Sequence, residues 1–145
     1  MGAGSPHTAH FVPPVAGRVR LAVDDLVTFA AREDLAVMPQ TAVAHAQFET
    51  IHPFPDGNGR TGRALMHAML KGKGLTRTVS VPISSGLLVD TNAYYDALTA
   101  YREGDVDPIV SRVSRAALIG VGNGRQLVRE LNAIREGWSD RLEGL

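Results

Sequence analysis

The chain has 145 residues, enough for one domain with a sizeable core, and its 15 basic side chains balance 15 acidic ones, so wholesale binding to nucleic acid or to an anionic membrane is not indicated. Without cysteine there is no disulfide framework, thiolate nucleophile or zinc-thiolate site, which fits a reducing cytoplasm. The start lacks a basic segment followed by an apolar run, and no stretch approaches the roughly 18 consecutive apolar residues of a membrane span, so a soluble cytoplasmic protein is expected.

Pro13-Pro14 denies helix and central strand to the first sixteen residues, which read as an extended segment. From Gly17, the positions Val19, Ala22, Val23, Leu26, Phe29 and Ala30 recur at three- and four-residue steps, the face of an amphipathic helix to about Arg32. Pro39, Gln40 and Thr41 open a second helix with Ala44, Phe48 and Ile51 on one side, ended by Pro53 so that His52 sits at its exit. After a Gly-rich loop a third helix runs from Arg60 to about Lys73, with Ala64, Leu65, Ala68 and Leu70 apolar. Residues 77–89 contain Pro82 and Gly86 among β-branched residues, and read as irregular connection with at most a short strand. Asp90 or Thr91 caps a helix from about Asn92 to Glu103, and Asp107-Pro108 opens another to about Gly120. A last helix, from about Arg125, places Leu127, Leu131, Ile134, Trp138 and Leu142 on one stripe. The expected fold is a compact all-α domain, with no internal repeat.

The chemistry concentrates in the loop from His52 to Arg63. Backbone N–H groups at Gly57, Asn58 and Gly59 and the positive end of the following helix suit an anion, polyphosphate being the natural one. Arg60 and Arg63, three residues apart on the first helical turn, add charge-assisted hydrogen bonds to phosphate oxygens. Asp56, a carboxylate in this cationic nest, makes a poor anion ligand but a good oxygen ligand for Mg²⁺ or Mn²⁺. His52 supplies an imidazole able to take a proton near neutral pH. A Gly-Asn-Gly turn taken alone is usually only a turn, but a pattern of this density arises by chance on the order of 10⁻⁹ per start point.

His52-Pro-Phe54-Pro-Asp56-Gly57-Asn58-Gly59-Arg60-Thr61-Gly62-Arg63 resembles the signature of the Fic family, His-x-Phe-x-Asp/Glu-Gly-Asn-Gly-Arg-x-x-Arg, at every specified position. Ala44-His45, Phe48 to Ile51, Phe11 to Pro14 and Asn92 to Leu98 with Gly104-Asp105 extend the likeness over about residues 8–120. The resemblance implies an all-α Fic fold in a single domain, with a flap over about 6–16, a helical core over about 17–122 and a C-terminal helix over about 124–143. It implies a protein adenylyltransferase, which moves AMP from ATP to a Ser, Thr or Tyr hydroxyl of a target protein. His52 would be the base, Asp56 would hold the metal, Gly57 to Arg63 (with Thr61 and Gly62 between the arginines) would hold the phosphates, and Phe54 would anchor the loop in the core. Thr8, Ala9, His10 and Phe11 would form the flap that aligns a target segment by strand addition, the alternative being a frayed terminus. Tyr94, Tyr95 and Arg102 would approach the base or ribose, the alternative for the aromatics being plain core packing. His45 and Glu49 read as packing and local hydrogen bonding, because no third metal ligand is evident.

Family members carry helices before the flap, whereas this chain begins almost at it; the alternatives are a fragment with a missing N-terminal segment, a minimal form, or one half of a complex with an inhibitory partner protein. Many members are restrained by a helix of pattern Ser/Thr-x-x-x-Glu-Gly/Asn; Ser139 to Glu143-Gly144 fits, and its glutamate would pair with Arg63, the alternative being a surface glutamate. Relatives that transfer phosphate place lysine at the position of Gly59, so glycine favours attack at the α-phosphorus. The competing readings are another Fic-type transfer, of phosphate or another nucleotide, and a non-catalytic binding module.

Overall fold

The computed structural model describes residues 11–78 and 81–143. Among them are six helices and no strand: α1 (Ala16–Ala31), α2 (Val37–Ile51), α3 (Asn58–Gly72), α4 (Ile83–Leu88), α5 (Thr91–Arg102) and α6 (Asp107–Glu143). The all-α expectation holds.

Helix α2 is the axis of the fold, buried on nearly every side, with α1, α3, α5 and α6 packed around it. Its alanines explain this placement: Ala42, Ala44 and Ala46 are fully buried, and small side chains let neighbouring backbones approach closely. On one flank the apolar face of α1 meets Ala44, Phe48 and Ile51 of α2 and Met69 of α3, as its spacing suggests. On the other, Ala42 and Ala46 join Met66, Leu70, Ile83, Leu87, Leu98, Ile109 and Val113 in the larger core. Gln40, itself buried, donates to the Phe29 and Arg32 carbonyls at 2.7 and 3.0 Å, while Lys73 reaches Arg32 O at 2.6 Å. The carbonyls that α1 leaves unpaired at its end are thus closed by α2 and α3.

Three expectations are corrected. Helix α3 begins at Asn58, two residues early, and buries Gly62, Met66, Met69 and Leu70, while Ala64 and Ala68 face solvent. Residues 83–88 form helix α4 where irregular chain was expected, because Gly86 lies against the Ala116 backbone: a Cβ there would come within 2.4 Å of the Ala116 carbonyl oxygen. The break expected between Gly120 and Arg125 is absent, and α6 runs unbroken. Glycine weakens a helix by about 1 kcal/mol but does not forbid it, and Gly120 is useful there, since a Cβ would stand 3.0 Å from the Pro82 carbonyl. Beyond Gly120 the stripe Leu127, Leu131, Ile134, Trp138 and Leu142 is exposed, not core. Among the described residues no helix is long and apolar enough to cross a membrane.

Asp90 caps α5 by accepting from the Ala93 N–H at 3.0 Å, and Arg112 of α6 pairs with the Asp90 carboxylate at 3.5 Å. That clamp fixes α5 beside α2 and sets Tyr94 and Arg102 near the His52–Arg63 loop.

Candidate active site

His52 closes α2 in the left-handed region, at φ 49° and ψ 58°, the one non-glycine residue with positive φ among those described. Such a conformation is costly for histidine, and Pro53 adds to the reason that α2 cannot continue. The imidazole is exposed, and the Phe11 ring meets it edge-on at 6.5 Å between centroids.

The loop is held from within by Asn58. Its side chain accepts from the Phe54 N–H at 3.0 Å and donates to the Phe54 carbonyl at 2.6 Å, while the residue is only 3% exposed. The Asn58 side chain is therefore committed to the loop, leaving its backbone N–H for a ligand. It also takes the part expected of Phe54, which is 47% exposed and touches the core only through Phe48, at 6.3 Å between ring centroids.

Gly57 turns the chain into α3 at φ 85°, and no side chain caps that helix. The first N–H groups of α3 are thus available to an anion. Arg60 lies in the open, bonded to Asp56 at 3.1 Å, an exposed pair that exchanges readily for stronger partners. Thr61 donates its hydroxyl to the Gly57 carbonyl at 3.1 Å and so supports the turn. Gly59 makes room for Arg63: a Cβ there would stand 3.2 Å from Arg63 Nη1. Gly62 faces inward, buried, and its role is to admit α2, because a Cβ would come within 2.5 Å of Glu49 Oε1 and 3.0 Å of His45 Nδ1. That close approach shows a packing role for Gly62.

Beneath the loop, His45 is fully buried and hydrogen-bonds Tyr94 Oη through Nε2 at 2.9 Å, the rings stacked at 5.9 Å. Burial pushes the His45 pKa down to about 4, so the ring is neutral at pH 7. Burial also raises the Tyr94 hydroxyl above its ordinary range, with the Glu49 charge adding to it. Tyr95 tilts against Tyr94 at 5.5 Å and is exposed. Arg102 lies over the Phe11 ring, Cζ 3.7 Å from its centroid, a cation–π contact. Phe11 thereby bridges His52 and Arg102, a link that residues 41 and 91 positions distant do not advertise in sequence. Thr8, Ala9 and His10 lie outside the described residues; Ser139 and Glu143 fall in the last turns of α6, and their side chains lie outside what is described. A separate hollow lined by Ala30, Leu35, Val37, Met69 and Lys73 contains none of the motif residues.

A sequence profile described as the Fic/DOC family matches residues 4–70, which include the whole His52–Arg63 loop. The chain belongs to the Fic/DOC family. Among Fic relatives, a probable protein adenylyltransferase of Aquifex aeolicus is 33% identical over 112 residues, 77% of this chain and 32% of that protein. A protein adenylyltransferase of Caenorhabditis elegans is 31% identical over 113 residues, 75% of this chain and 21% of that protein. The crystal structure of a Fic family protein from Desulfovibrio desulfuricans G20 superposes with a TM-score of 0.67 at 24% identity, covering 79% of this chain and 35% of that one, which shows the Fic fold. The chain thus spans about a third or less of the length of these Fic relatives.

The linear reading gave Glu49 to packing and Gly62 to the phosphates, and did not show that the two meet: the space beside the Glu49 carboxylate is the one that Gly62 leaves. Their signal was faint but present, the one acidic residue of α2, three positions before His52, and a glycine on the inward face of the next helix.

Proposed function

We propose that the chain transfers AMP from Mg·ATP to a hydroxyl side chain of another protein. The observation that supports this most is one loop holding an exposed imidazole, a lone carboxylate, two arginines and an uncapped helix N-terminus. The relatives' names, protein adenylyltransferase, point the same way.

In this reading the N–H groups at the start of α3, with Arg60 and Arg63, bind the triphosphate through charge-assisted hydrogen bonds. His52 takes the proton of the target hydroxyl as its oxygen attacks the α-phosphorus; the bond from that phosphorus to the bridging oxygen breaks, and diphosphate leaves. The donor set fits a divalent ion of the Mg²⁺ or Mn²⁺ kind: Asp56 offers an exposed carboxylate, and no group of three or more candidate ligands among the described residues would hold an ion by itself. Such an ion, shared between Asp56 and the phosphates, would offset negative charge on the phosphate oxygens. Gly59, where the phosphate-transferring relatives place lysine, supports attack at the α-phosphorus, and a Cβ there would stand 3.2 Å from Arg63 Nη1. Tyr95, exposed beside Tyr94, is the aromatic surface available to the base. Phe11, against His52 and Arg102, sits where a target segment would arrive if Thr8 to Phe11 align it.

Incubation with α-labelled and, separately, γ-labelled ATP in a lysate tests the reaction. Label moving to protein from only the α-position is the expected result. Transfer from only the γ-position would replace the proposal with phosphorylation, and none from either would leave a binding module.

A further inference from the structure

Helix α2 packs against α3 and against α5, which make little direct contact with each other. One buried side chain of α2 touches both. His45 is fully buried and lies against α3 at Gly62, where a Cβ would stand 3.0 Å from its Nδ1 and 3.1 Å from its Cε1. Its other nitrogen, Nε2, shares a 2.9 Å hydrogen bond with Tyr94 Oη on α5, and the two rings stack. Tyr95 in turn leans on Tyr94, 5.5 Å between ring centroids and tilted by 50°, and is 62% exposed. A chain of contacts thus runs from the residue beside Arg63 to the exposed aromatic surface, through one imidazole. Nδ1 faces the Gly62 backbone without a hydrogen bond of good geometry, so a buried polar atom is poorly matched where an apolar side chain would leave none. The hydrogen bond to Tyr94 is what the imidazole supplies and an apolar residue would not.

We propose that His45 is a positioning residue for the nucleotide site: wedged against Gly62 and hydrogen-bonded to Tyr94, it fixes the Tyr94–Tyr95 aromatic pair relative to the start of α3, so that base and phosphates are met together. For its ligand the inference rests on the Mg·ATP reading above, and it adds what sets the span between the two halves of that site. Aromatic pairs hold preferred tilts, so a Tyr94 ring released from His45 carries Tyr95 with it. An aromatic surface held in place beforehand also spares the ordering cost of binding.

Calorimetry with two probes reads the proposal: Mg·ATP, and Mg·tripolyphosphate, which has the phosphates without base or ribose. The parent is expected to bind Mg·ATP at least about tenfold more tightly than Mg·tripolyphosphate. Tyr94→Phe, which removes only the hydroxyl, and His45→Phe, which keeps a ring, should each weaken Mg·ATP about tenfold and leave Mg·tripolyphosphate within about twofold. The double variant should lose no more than about twofold beyond either single one, because both remove the same hydrogen bond. His45→Gln, whose amide can donate or accept near the place of Nε2, should return Mg·ATP affinity to within about threefold of the parent. A packing role alone would lower the thermal midpoint and weaken both probes alike, and that result would overturn the inference. So would a folded Tyr94→Phe with Mg·ATP affinity within twofold of the parent, additive losses in the double variant, or a parent that binds the two probes equally. Should His45→Phe not fold, Tyr94→Phe carries the test. None of these measurements needs AMP transfer: label moving from only the γ-position would sink the reaction proposed above, and the two affinities would still decide this inference.

Discussion

A left-handed histidine before a proline is an expensive way to end a helix, and its use at His52 ties the backbone to the chemistry. Replacement by alanine would change both base and backbone tolerance, so His52→Asn, which tolerates positive φ better, belongs beside it. Both are expected to lower AMP transfer by about 10²–10⁴-fold with Mg·ATP affinity within threefold of the parent, measured as single-turnover rates and dissociation constants. Arg63→Ala should weaken both quantities, because phosphate is held in ground and transition states alike. Transfer by His52→Asn within threefold of the parent would remove the base from the mechanism. His45 has a different signature. Its folded pKa of about 4 lies below the 6.5 of the unfolded chain, so the unfolded state binds the extra proton first, and stability falls as pH drops from about 6.5 to about 4. The full effect is on the order of 3 kcal/mol. Glu49, whose pKa is raised chiefly by burial, acts with the opposite sign, losing stability as pH rises through the carboxylate range. Urea titrations at pH 7 and pH 4.5 should therefore show a smaller loss for His45→Asn than for the parent, and equal losses would refute the buried neutral ring.

Among the elements, α4 and α6 show what periodicity alone misses. A six-residue helix is too short to reveal a repeat, and Pro82 and Gly86 argue locally against it. Its stability is tertiary, from Ile83 and Leu87 in the core and from the close approach of Gly86 to Ala116. Gly86→Ala is expected to destabilise the protein by about 1–3 kcal/mol, because the new Cβ meets backbone that has nowhere to move, outweighing alanine's helix preference. An unchanged or higher thermal midpoint would mean that α4 does not sit as described. The glycines at 120, 122 and 124 are the converse case: the hydrogen-bond ladder of α6 passes through them. Helix caps were legible, as Asp90 before α5 shows, since a cap is a short-range bond between residues three apart.

At the scale of the molecule, the first part of α6 is core and the rest is exposed. Ile109 and Val113 are fully buried, whereas Leu131 and Ile134 are more than half exposed. Ile109→Ala should therefore cost about 2–5 kcal/mol in urea denaturation. Leu131→Ser should stay within about 0.5 kcal/mol of the parent, although the two apolar positions look alike in a helical pattern. A large loss at Leu131 would mean that something covers that stripe in solution. By itself the sequence determined the all-α class, the helix starts marked by caps and prolines, and the His52–Arg63 loop, because each depends on residues within a few positions of one another. Only the tertiary structure decided that Asn58 and not Phe54 fastens the loop, that Gly62 serves packing, and that Phe11, Glu49, Tyr94 and Arg102 stand around His52 and Arg63. Those relations join four separate segments across α2, and burial, shape and unpaired charge arise only when the helices are packed together.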